Sequence, residues 1–146
     1  MDIAQYILEK QGRMTTMKLQ KLVYYCQAWS LVWDEEPMFP EKIQAWANGP
    51  VVRKLYDHHQ GVFRVSSIRH GNSDNLTDTQ RETIDVVLEA YGDKSAQWLS
   101  DLTHLESPWN VAREGLSEGE PSEREITPEI LYDYYSTLPP ELAGSA

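Results

Sequence analysis

Met17-Lys18-Leu19-Gln20-Lys21-Leu22-Val23-Tyr24-Tyr25, continuing through Cys26 to Trp33, is the stretch on which the fold turns. Its spacing is helical. Leu19, Leu22, Val23, Cys26 and Trp33 share one side, and Tyr24, Ala28, Leu31 and Val32 share another. Only narrow polar strips separate them, formed by Gln20 and Gln27 and by Lys18 and Lys21 beside Tyr25 and Trp29. A helix that is apolar nearly all round has to be covered by neighbours on several sides. The stretch therefore predicts a central helix near 15–33, capped by Thr15 or Thr16.

Outward from this post, punctuation residues divide the chain. Asp2 is placed to cap a short first helix that Gly12 ends. Pro37, Phe39 and Pro40 mark a loop. Ile43 to Ala47 alternates like a short strand, and Asn48-Gly49-Pro50 breaks it, with Pro50 suited to the first position of the next helix. That helix carries Val52, Leu55, Tyr56 and His59 and is closed by Gly61. Phe63 to Ile68 reads as another short strand. Thr77 and Gln80 have the spacing of a capping box, ahead of the stripe Ile84, Val87, Leu88 and Tyr91. Ser95 opens a helix with Trp98, Leu102 and Leu105 on one face, and Ser107-Pro108 restarts the chain with Trp109. Glu114 to Glu125 has the composition of a mobile loop. A last helix follows Thr127-Pro128, and Pro139-Pro140 ends it. The expected architecture is mainly α (α+β): about six helices in a compact single domain over residues 1–138, with a small β element between 38 and 68. A frayed tail is expected at 139–146.

Composition narrows the function. Apolar residues make up 40% of the 146 and charged residues 25%, as in ordinary globular proteins. No apolar run approaches the length of a membrane span, and the N-terminus gives no expectation of a signal peptide. The single cysteine, Cys26, suits a reducing cytoplasm. The net charge of −10 is uneven: residues 114–146 hold eight acids and one base. Nucleic-acid binding is not expected of such a chain, because that task concentrates lysine and arginine. The acidic end reads either as a solvated loop or as a surface that steers a basic partner.

No reagent set stands out. Cys26 lies in the most apolar stripe, where a thiol is an inert small hydrophobe. His58 and His59 point about 100° apart on a helix, and no metal-ligand spacing is present. No catalytic, cofactor or metal site is therefore expected. Asn48-Gly49-Pro50 is explained by a turn. The segment Leu99 to Trp109, with Thr103, His104, Pro108 and Trp109, reads as a corner between two helices.

Three of these segments, in order and with matching spacing, resemble the motifs of the SocA-like antitoxin family, also called the Panacea domain. The first is Lys18 to Tyr25. The second is Ala45 to Val52 with Leu55-Tyr56. The third runs from Leu99-Ser100 through Thr103-His104 to Pro108-Trp109. The resemblance implies a phage- or prophage-associated antitoxin, a non-enzyme that neutralises a cognate toxin by direct binding. Its name-giving branch implies an alternative, a proteolytic adaptor that delivers the toxin to the ClpXP protease. An enzyme acting on its target and a DNA-binding regulator are weaker alternatives. Candidate partner-binding or motif residues are Lys18, Lys21, Tyr25, Trp29, Trp46, Asn48, Gly49, Pro50, Thr103, His104, Pro108 and Trp109. The strip of Lys18, Lys21, Tyr25 and Trp29 has two readings: it faces a partner, or its lysines make internal salt bridges. The sequence departs from the family at Cys26, where a small alanine-like residue is usual.

Overall fold

The Thr15 hydroxyl accepts a hydrogen bond from the Lys18 N–H at 3.2 Å and starts the central helix, α2 (Thr16–Trp33). Every residue of α2 from Leu19 to Leu31 is buried. The computed structural model describes residues 1–138, so the tail expected at 139–146 lies outside the described residues. Among these, α2 is preceded by α1 (Asp2–Gln11) and the two-residue strand β1 (Met14–Thr15). It is followed by β2 (Ile43–Trp46), β3 (Gly49–Val52), α3 (Arg53–His59) and β4 (Arg64–Val65). Then come a single 3₁₀ turn (Ser73–Asn75), α4 (Asp78–Tyr91), α5 (Ala96–Leu105), α6 (Ser107–Ala112), β5 (Glu125–Ile126) and α7 (Pro128–Tyr135). Helices α1, α4, α5 and α7 and strand β3 all pack on α2. The mainly α fold with a small antiparallel element is as the apolar post requires, with seven helices among the described residues. The Thr77–Gln80 capping box is present in both directions.

Several local expectations are corrected. Pro50 does not open a helix; it lies in β3, paired opposite Ala45. Ala47-Asn48 form the hairpin turn, and β3 is an edge of the three-stranded sheet β3-β2-β5, where a missing N–H breaks no ladder. Asp2 does not cap α1: its carboxylate accepts from the Asn72 N–H at 2.9 Å, so it anchors a loop instead. Only Arg64–Val65 of the second expected strand pairs, against Met14–Thr15. The acidic loop, expected from composition to be mobile, makes specific contacts. The Arg113 guanidinium donates to the carbonyls of Ser117 at 3.3 Å and Glu120 at 2.7 Å, and the loop ends in β5 against β2. The expected apolar face of α5 is split, with Leu102 partly buried against the core and the two ends of that face turned out. Leu99, Ser100 and Thr103 are its buried residues, while Trp98 and Leu105 are exposed.

Candidate functional site

The polar side chains of α2 point inward, and each grips main chain. Lys18 Nζ donates to the Gly92 carbonyl at 2.7 Å. Gln20 accepts from the Val52 N–H at 2.8 Å and donates to the Val52 carbonyl at 3.3 Å. Its second amide hydrogen reaches His59 Nε2 at 3.0 Å, which fixes that nitrogen as an acceptor. Gln27 accepts from Met38 N–H and donates to the Phe39 carbonyl. Lys21, 2% exposed, donates to the Pro50 carbonyl at 3.2 Å and has no carboxylate within salt-bridge distance among the described residues. Burial pushes its pKa down to about 8. Lys18 and Lys21 therefore hold carbonyls, not the acids that a salt bridge would supply.

Lys21 is one jaw of a clamp on the β2–β3 hairpin, and the third motif is the other. Ser100 Oγ donates to the Asn48 carbonyl at 3.1 Å, and Trp109 Nε1 donates to the Trp46 carbonyl at 2.8 Å. Gly49 sits between the jaws. A Cβ added there would lie 2.8 Å from Lys21 Cε and 3.4 Å from Thr103 Oγ1, and its φ of 126° also favours glycine. His104 Nδ1 is 2.6 Å from the Ser100 carbonyl, which can only accept, so Nδ1 carries the hydrogen. Its ring lies 4.0 Å from that of Trp109. Pro108 is buried in the first turn of α6. Behind the clamp, Arg113 donates to the Ala45 carbonyl at 3.0 Å.

Tyr25 and Trp29 belong to a second, fully interior group. Tyr25 and Tyr135 each donate to Glu106 Oε1 at 2.7 Å. Because the Tyr135 hydrogen is engaged there, Tyr24 is the donor in the 2.9 Å contact between the Tyr24 and Tyr135 hydroxyls. Tyr25 stacks on Tyr91 with centroids 4.3 Å apart, and Trp29 Nε1 donates to the Tyr91 hydroxyl. Burial raises the Glu106 pKa, and the two phenol hydrogen bonds oppose that rise. Burial pushes the Tyr91 hydroxyl up to about 12 and raises the Cys26 thiol well above its ordinary value. The thiol is thereby held protonated. Glu106, Gln20, Arg113 and Tyr135 were not among the candidates. Their one signal is a polar group next to motif residues or, for Tyr135, the aromatic repeat in α7.

Beside the clamp an open cleft of about 500 Å³ runs between α2, the hairpin and α3. Trp46, Ala47, Asn48, Val51 and Tyr56 wall it, Lys21 and Gln20 contribute to its lining from α2, and the 121–123 loop borders it. The Trp46 and Tyr56 rings meet edge-to-face at 4.8 Å, with the Arg53 guanidinium about 6 Å from both. The candidate residues thus divide into clamp (Lys21, Asn48, Gly49, Pro50, Thr103, His104, Pro108, Trp109), interior (Tyr25, Trp29) and cleft (Trp46, Asn48, Lys21), with Lys18 apart from them at Gly92. Among the described residues no group of three His, Cys, Asp or Glu side chains is placed to hold a metal, and no helix is long and apolar enough to cross a membrane.

A helical domain whose signature residues clamp a hairpin next to an open aromatic cleft is the class that the fold defines. The chain belongs to the SocA-like antitoxin family: the family model for "Antitoxin SocA-like, Panacea domain" matches residues 19–110. That membership supports an antitoxin role, with a toxin as partner. No curated protein and no solved structure matches the chain.

Proposed function

We propose that this chain neutralises its cognate toxin in the cytoplasm by direct protein–protein binding and performs no chemistry of its own. The observation that carries the reading is the cleft, because its walls are built from the second family motif and it opens to solvent. The fold around it gives the partner a rigid surface. The hairpin is held from α2, α5 and α6, so its outer residues are pre-organised and association loses little to ordering. Large apolar side chains remain exposed nearby, with Met17 on the cleft wall and Val62 and Phe63 beside Thr16. Exposed aromatic and apolar groups around a concave site are the anchors that interfaces use.

Co-expression with the product of the neighbouring gene tests the proposal. The expected outcome is rescue of growth, co-purification of the two proteins and an unchanged toxin half-life. Rescue with a shortened toxin half-life supports the protease-adaptor alternative instead. A neighbour that is harmless when expressed alone, or a pair that never co-purifies, overturns direct neutralisation.

A further inference from the structure

The cleft has a charge that its chain does not share. Its lining carries two cations, Lys21 from α2 and Arg53 from α3, against one acid, Glu123. The rest of the chain carries 22 acids and 11 bases. Arg53 Nε is engaged by Asp57 at 3.1 Å, an exposed pair that holds the guanidinium beside the Trp46 and Tyr56 rings. Its two terminal nitrogens make no hydrogen bond among the described residues. Lys21 adds a cation behind the cleft wall with a carbonyl and no acid beside it. Charge in such low-dielectric surroundings is poorly screened and acts over a longer reach than a surface lysine does. One acid, Glu123, stands on the border from the opposite loop.

On the reading that the protein binds its toxin directly, we infer that the cleft takes an acidic segment of that toxin, anchored by one bulky apolar side chain. The anchor lies among Trp46, Val51, Tyr56 and Met17. Carboxylates flanking it meet Arg53 at the mouth and the uncompensated charge of Lys21 behind the wall. A basic segment would bring like charge against both, which specific interfaces use to exclude wrong partners. The size agrees: about 500 Å³ is within the range that encloses a bulky group and its surroundings. Residues 121–123 of the acidic stretch border this contact, and the stretch as a whole gives the chain a net charge opposite in sign to that of the cations in the cleft.

The test uses the full chain and two labelled peptides. One has a central phenylalanine flanked by aspartate and glutamate, and the other carries lysines in their place. Fluorescence anisotropy is expected to show the acidic peptide binding about tenfold tighter or more, with a loss of about tenfold on raising salt from about 50 to about 300 mM. Arg53→Glu, on an exposed residue, should remove that preference with no change in thermal unfolding. Equal affinity for the two peptides, tighter binding of the lysine peptide, or no effect of Arg53→Glu overturns the inference. Binding of phenylacetate without binding of the acidic peptide also overturns it, in favour of a small carboxylate. In cells, Arg53→Glu combined with Tyr56→Ala should abolish rescue. If that variant still rescues and co-purifies, the cleft assignment fails while direct neutralisation stands. If the wild-type chain itself does not co-purify with the toxin, the underlying reading fails.

Discussion

The inner surface of α2 and the outer surface of α5 invert the usual placement of polar and apolar groups. Gln20, Lys21, Gln27 and Ser30 of α2 are 2–3% exposed, whereas Trp98 and Leu105 of α5 are 45% and 83% exposed. The polar groups on α2 survive burial because each meets main chain at hydrogen-bond distance, and no buried side-chain N or O lacks a partner among the described residues. The outward groups on α5 survive because isolated exposed apolar side chains are cheap. Side-chain class alone therefore does not decide which way a residue faces in this fold. The availability of a backbone partner does.

The largest test of that contrast lies at the centre of the interior group. Glu106→Leu removes the acceptor of two buried phenols and should destabilise by roughly 3–5 kcal/mol in denaturant unfolding. Glu106→Gln keeps an acceptor and should cost only about 1 kcal/mol. The two variants differ from wild type in their pH dependence as well. Because burial raises the folded-state pKa of Glu106, the native state holds its proton longer than the unfolded chain does. Its contribution is therefore most favourable at acid pH and is lost as pH rises from 4.5, the unfolded value, through the raised folded one. The glutamine variant lacks this decline. Parallel stability curves for wild type and Glu106→Gln would refute a buried, charge-averse Glu106.

Next in size is Lys21→Met. At pH 7 the exchange removes a desolvated cation along with its single carbonyl bond, and stability should change by no more than about 1 kcal/mol. The folded-state pKa of about 8 lies below the unfolded 10.5, so the wild-type lysine sheds its proton first in the native state. Its contribution is full above the unfolded value and is lost as pH falls through the folded one. Between pH 8 and 10 wild type should accordingly gain on Lys21→Met, by about 3 kcal/mol at most. Taking the difference between the two proteins cancels the ionisation of unfolded tyrosines in that range. A constant difference across pH would show that Lys21 is hydrated.

The smallest effect belongs to α5. Leu105→Ser should move the unfolding midpoint by no more than about 0.5 kcal/mol. A loss of toxin rescue with unchanged stability would extend the contrast from folding to recognition, by making the outward face of α5 a contact surface.

Periodicity and punctuation made much of the scaffold legible. The unbroken run from Leu19 to Leu31 announced a post with cover on all sides, and Thr77 with Gln80 announced the start of α4. Each rests on residues within a few positions of one another. What escaped depends on distant partners. Glu106 meets Tyr25 from 81 residues away and Tyr135 from 29, and a lone glutamate before Ser107-Pro108 reads as an ordinary helix end. Lys21 grips a carbonyl, an atom that every residue has and no sequence pattern marks. Pro50 was misplaced because a helix start and an edge strand both tolerate its missing N–H. The stripe on α5 gave a face without saying which side had a neighbour. The cleft lies between three elements, so its residues carried no common spacing.

The grip of α2 on its surroundings has an evolutionary side. Lys18, Gln20, Lys21, Gln27 and Ser30 bind the main chain of residues 92, 52, 50, 38–39 and 36, not the side chains there. An attachment made through amides and carbonyls is indifferent to which side chain the attached residue bears. Loops held this way can exchange their outward chemistry one position at a time while the framework keeps its shape. A domain with such fastenings can drift from one partner to another without having to fold anew.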